Sequence, residues 1–105
     1  MHLIAFDLAL DLVRSLRPTL AAYKRHNARM ARQLQDAVTS IPLNVAEATG
    51  RFGGDRVHHF RIALGSLREV VAALEVGKAA GWIAEVPMAA ELDRLGGLLW
   101  GLQRK

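Results

Sequence analysis

Six cationic side chains, Arg14, Arg17, Lys24, Arg25, Arg29 and Arg32, lie between Leu12 and Gln35 with no acidic residue among them, and His26 sits inside the same run. A cluster of that density attracts phosphate or acidic surfaces. The rest of the chain carries eight basic against ten acidic residues, so the net charge of +4 belongs to this one segment and understates it. Two readings stand for the run: a solvated helical face, or the contact surface for a polyanion.

Two further pairs have the spacing to share a helical face, Asn44 with Glu47 and Ser66 with Glu69. Facing each other across a bundle they would fix the register between two helices, because a slipped pairing strands an unsatisfied carboxylate or amide. Arg51 or Arg61 is placed to neutralise Glu47, which would withdraw that arginine from phosphate. The competing reading is a small acid/base site, but no base is set beside Ser66 by any spacing in the chain.

His58 and His59 are adjacent, hence about 100° apart on a helix, a poor grip for one metal ion. Asp55, four residues before His59, leaves a surface metal contact as the alternative to solvated or subunit-facing histidines. Gly50, Gly53 and Gly54 lack the following Gly-Lys-Ser/Thr and the preceding strand of a phosphate loop, so they read as a turn. Cysteine is absent, which excludes disulfides and thiol chemistry. With no nucleophile–base pair, metal set or cofactor fingerprint to assemble, the expectation is a protein that is not an enzyme and uses neither metal nor cofactor.

The elements that must carry these residues are helices. Ala5, Leu8, Leu12, Leu16, Leu20 and Tyr23 recur in steps of three or four and predict a first helix over about 3–26. Pro18 interrupts it, and the unbroken apolar phase favours a kink over a reversal, with two short helices as the alternative. Met30, Leu34, Ala37, Val38, Ile41, Val45 and Ala48 predict a second helix over about 28–49, bent at Pro42 and capped by a left-handed Gly50. After a turn over 50–55 with Asp55 as N-cap, Val57, Phe60, Leu64, Leu67, Val71 and Leu74 predict a third over about 56–80. Gly81 closes it, Trp82 and Ile83 plug the core, and Pro87 opens a fourth helix over about 87–103.

No strand pattern occurs, and the short connections imply one domain over 1–105, an all-α antiparallel up-down-up-down four-helix bundle. At 105 residues with 51% hydrophobic content and a mean hydropathy of +0.14, the chain holds more apolar material than one small core absorbs, so part of it is expected at a subunit contact. Leu3, Ile4 and Phe6 near the start and Leu98, Trp100 and Leu102 near the end crowd more than a single stripe and are the proposed oligomer interface. Gly97 and Gly101 permit close helix approach, within the chain or between copies. The longest uncharged stretch, Ala37 to Ala46, is far short of the roughly 20 residues that span a bilayer, and no signal peptide is evident; the expectation is a cytoplasmic protein with no membrane partner.

Ser40-Ile-Pro-Leu-Asn-Val-Ala-Glu-Ala-Thr-Gly-Arg51, followed by Phe60-Arg-Ile-Ala-Leu-Gly-Ser-Leu-Arg-Glu69, resembles the bacterial four helix bundle protein family, also called 23S rRNA-intervening sequence proteins. Both motifs stand in the family's order and spacing, and Gly-Trp-Ile at 81–83 extends the likeness. The resemblance implies a ring-like homopentamer, some relatives being encoded within rRNA-gene insertions. The accessory variability determinants of diversity-generating retroelements look like distant relatives that bind nucleic acid and a reverse transcriptase through a basic surface. The chain departs from the pattern at Ala48, where glycine is usual, and in the basic link containing Pro18. The functional expectation is a self-assembling protein that binds RNA or DNA through the six cations, with a scaffold for a protein such as a reverse transcriptase as the alternative.

Overall fold

The apolar stripe that opens the chain folds as two helices. In the computed structural model, which describes residues 3–104, α1 spans Ile4–Ser15 and α2 spans Arg17–His26. Leu16, at φ −86° and ψ 1°, separates them, and Pro18 falls in the first turn of α2, where a missing N–H is harmless. The single helix expected over 3–26 is therefore divided. The break is slight, because Leu16 N–H still bonds Leu12 O at 3.0 Å and Leu20 N–H bonds Leu16 O at 2.9 Å. The apolar phase survives it, with Leu12, Leu16 and Tyr23 fully buried.

Asn27 caps the next helix, α3 (Ala28–Thr49), its side-chain oxygen accepting from Met30 N–H at 3.1 Å. Pro42 is buried inside α3 without ending it. Gly50 is not the left-handed cap expected of it, having φ −94°; the last turn tightens instead through Gly50 N–H to Glu47 O and Arg51 N–H to Ala48 O, both 3.2 Å. The following turn is short, since α4 (Gly53–Ala79) starts at the glycines that were expected to lie outside it. Phe52 takes the N-cap position, and Asp55 lies in the first turn of the helix instead of capping it.

The other end of α4 closes on Gly81, at φ +79°, with Gly81 N–H to Lys78 O at 3.1 Å and Trp82 N–H to Gly77 O at 2.9 Å. That paired return is a Schellman motif, and it delivers Trp82 and Ile83 against the core as expected. The final helix, α5 (Ala89–Gln103), begins after Pro87, with Met88 at φ 56° before it. Among the described residues there is no strand, and no helix is long and apolar enough to cross a membrane.

The most extensive packing joins α3 to α4, which run antiparallel: Ser40 meets Ser66, Asn44 meets His59, and Ala48 O meets Arg56. α4 and α5 are also antiparallel, Arg61 lying by Gln103 while Leu67 lies by Gly96. α1 packs on α3 and α5, and α2 on α3, so the helices close around one core that includes Leu12, Leu34, Ile41, Phe60, Leu74 and Leu95.

Tyr23 is the one residue of α2 that is buried, and its hydroxyl donates to Ala73 O at 2.7 Å. Burial pushes its phenol above the usual tyrosine value, an effect partly offset by the Gly77 backbone. The ring occupies the space over Gly77 so closely that any Cβ there would overlap it. Gly77→Ala is therefore expected to cost about 1–3 kcal/mol by overpacking, with partial relief in Tyr23→Phe, whose ring lacks the nearest clashing atom. Urea unfolding of the two single variants and the double variant checks this, and additive costs would contradict it.

Candidate nucleic-acid interface

The burial of Leu16, Tyr23, Ala31 and Leu34 turns the intervening positions outward, and all the cations of the N-terminal run are exposed. Arg14 is on α1, Arg17, Lys24 and Arg25 are on α2, and Arg29 and Arg32 are in the first turns of α3. Lys24, Arg25 and His26 occupy the last turn of α2, where the partial negative charge of the helix end favours them. Arg14 is paired with Asp11 at 2.8 Å, an exposed i,i+3 bridge. Among the described residues the other five cations, Arg17, Lys24, Arg25, Arg29 and Arg32, make no ion pair. An ion-paired arginine must give up its carboxylate to bind phosphate, whereas these five are free to do so.

Aromatic rings adjoin this face. The His26 ring lies nearly parallel to Trp82, at 10° with centroids 6.2 Å apart. Trp82 in turn meets Tyr23 edge-on, at 77° and 5.3 Å. The Gly-Trp-Ile motif brings Trp82 here, a neighbour that the basic run alone does not reveal.

The polar residues expected to form one cluster separate into four places. Between α3 and α4, Ser66 donates to Ser40 Oγ at 2.8 Å, Asn44 donates to Ser40 O and Oγ at 3.0 and 3.1 Å, and Asn44 Oδ1 lies 3.1 Å from His59 Nδ1. Glu47 is not in this seam. It faces solvent at the α3–α4 turn, where Arg51 bridges Glu47 at 2.8 Å and Asp55 at 2.7 Å. Arg61 points the other way and donates to the buried Gln103 at 3.1 Å, and Glu69 is exposed beside Met30 and Gln33. Ser40, His59 and Gln103 are the partners that sequence reasoning missed. Ser40 stands four before Asn44 in the quoted motif, a signal available in the spacing; the other two contacts join distant parts of the chain.

Asp55 and His59 are each engaged elsewhere, by Arg51 and Asn44, and among the described residues no group of three metal-ligating side chains converges. Hydrogen bonds from Arg51 hold the Glu47 and Asp55 carboxyls below their usual values, and those bonds raise the Arg51 guanidinium.

Of the proposed interface residues, Ile4 and Trp100 are 57% and 51% exposed, while Leu3, Phe6, Leu98 and Leu102 are partly buried against the chain's own core. Trp100 lines a groove of about 740 Å³ between α4 and α5, together with Leu64, Val71, Leu92 and Gly97 and the charged Arg68, Glu75 and Asp93. A Cβ placed on Gly97 or Gly101 would meet nothing within 4 Å among the described residues, whereas one on Gly96 would lie 3.5 Å from the Leu67 side chain of α4.

Five helices around one core, with unpaired cations over the α2–α3 junction, define a small all-α bundle with a cationic face. The chain belongs to the 23S rRNA-intervening sequence protein family, whose model matches residues 1–99. A crystal structure described as a protein of unknown function from the S23 ribosomal protein family of Bacteroides thetaiotaomicron is similar to it, with a TM-score of 0.69 and 17% identity over 96% of this chain and 93% of that one. At that identity the likeness carries the fold alone. Comparison with curated proteins returns no match.

Because Arg51 lowers both carboxyls, its bridges add stability above the ordinary carboxylate range of about 4 and lose it as pH falls through the lowered values. Exposure keeps the contribution small. In a carboxyl NMR titration, Arg51→Gln is expected to return Glu47 and Asp55 upward to ordinary carboxylate behaviour; unchanged titration curves would contradict the assignment.

Proposed function

We propose that this protein is a non-enzymatic, self-assembling bundle that binds RNA or DNA through the face formed by Arg17, Lys24, Arg25, Arg29 and Arg32, with Arg14 at its edge. The observation that supports it best is that these five cations lie together on one exposed face and form no ion pair among the described residues, while Arg51 is held by two carboxylates. Cations that release counterions from a polyanion give binding that depends on charge and little on sequence. Copies joined through the exposed Ile4 and Trp100 and the α4–α5 groove would present that face repeatedly, in a ring such as the family's pentamer, and multiply a weak attraction.

A second reading, a scaffold for a protein such as a reverse transcriptase, draws on a different surface. Phe52 is 90% exposed in the α3–α4 turn and Leu43 is 68% exposed on α3. The rise of α3 puts that turn roughly 30 Å along the axis from Arg29. The two surfaces can thus serve different partners.

In fluorescence anisotropy, wild-type protein is expected to bind RNA and DNA at low salt and to weaken steeply as salt rises. The Arg25→Gln, Arg29→Gln, Arg32→Gln triple variant should lose affinity for both and shed about one unit of salt slope per phosphate contact removed. Binding that survives high salt unchanged, or that ignores the triple substitution, contradicts the proposal. Light scattering is expected to show an oligomer that Trp100→Glu dissociates; a monodisperse wild-type monomer contradicts the assembly.

A further inference from the structure

We infer that the cationic face takes single-stranded in preference to duplex nucleic acid, with one unpaired base stacked on the outward face of the His26 ring. The inference rests on the nucleic-acid reading above and adds the conformation of the partner.

Three rings lead from the core to the surface. Tyr23 is fully buried and held by its 2.7 Å bond to Ala73 O. Trp82 packs edge-on to Tyr23 at 5.3 Å and is tied to the end of α4 by its N–H bond to Gly77 O at 2.9 Å. His26 lies within 10° of parallel to Trp82 with centroids 6.2 Å apart, an offset arrangement at the edge of the indole, and His26 is exposed. The outermost ring is thus oriented before anything binds, which lowers the ordering cost of stacking on it.

The surroundings supply the rest of a single-strand site. Lys24 and Arg25 precede His26 and Arg29 follows it, all exposed and without ion pairs among the described residues. Glu85, in the same α4–α5 link as Trp82, is held by Lys78 at 3.2 Å, which offsets its charge. Cations that follow a phosphate backbone, alternating with an aromatic surface for a base, hold single strands with little sequence preference, because every base has a π face. In a duplex the bases are already stacked inside, and the His26 ring has nothing to receive. A stack that served the fold alone would need Trp82 against Tyr23 but no exposed third ring.

The test uses the full chain at low salt with three probes of equal length: an oligothymidylate single strand, a duplex, and a phosphodiester backbone without bases. Wild type is expected to bind the single strand most tightly. His26→Ala should weaken that binding about five- to tenfold, leave the duplex and the base-free backbone unchanged, and be rescued by His26→Phe. Circular dichroism should be unaltered, since the side chain is on the surface. A loss that appears equally on the base-free backbone would show a charge effect and overturn the stacking. So would a single strand bound equally by His26→Ala, or a duplex bound as tightly as a single strand by wild type; each leaves the cationic face as a binding surface. If wild type binds none of the probes, the nucleic-acid reading itself fails.

Discussion

The seat of Tyr23 over Gly77 is the contact on which the orientation of the cationic face depends. α2 has ten residues and buries one of them, and a helix that short does not hold itself together in water. Its packing on α3 and a ring fitted where α4 has no side chain, with its hydroxyl on the Ala73 carbonyl, together fix its rotation. That rotation sends Lys24, Arg25 and His26 outward. The same stretch of α4 turns the chain back through Gly81 and sets Trp82 against the tyrosine, so one end of one helix positions both the cations and the rings beside them.

Charge is handled differently at the two ends of α3. At its C-terminal end the groups cancel locally: Arg51 lies between Glu47 and Asp55, and Arg56 reaches Ala48 O at 3.3 Å and lies over the Phe60 ring. At its N-terminal end Arg29 and Arg32 form no ion pair among the described residues, although Glu69 of α4 lies beside Met30 and Gln33. Between them a seam of Ser40, Asn44, His59 and Ser66 registers α3 against α4 without a carboxylate, which avoids the desolvation that a buried carboxylate would impose.

Much of this was legible in the sequence where a long apolar period ran without interruption. α3 has the expected bounds, since its stripe and Asn27 cap agree, and the burial of Leu8, Leu12, Leu16 and Tyr23 follows the stripe read at the start of the chain. At Pro18 the sequence left a kink and two short helices as alternatives, and the structure has two, because a turn that keeps both flanking hydrogen bonds preserves the apolar phase and the phase cannot separate the two readings. Gly53 and Gly54 read as part of the turn, yet α4 begins with them, Gly53 at φ 58°, a conformation glycine adopts without strain. The polar motif was recognised, but its carboxylates were assigned to the interior. Arginine at i+4 offered Glu47 a nearer partner at the surface, and the seam was left to Ser40 and His59. The exposed cations were legible from charge alone, whereas the ring stack depends on a residue more than fifty positions away, which no local spacing reports.

The most direct test of a nucleic-acid face at the α2–α3 junction is amide and arginine side-chain chemical-shift mapping as single-stranded RNA is added to labelled protein. The account predicts shifts concentrated on Arg17 to Arg32 and on Trp82, with the Glu47–Arg51–Asp55 turn unmoved. Shifts centred on that turn and Phe52, with the N-terminal cations silent, would contradict it.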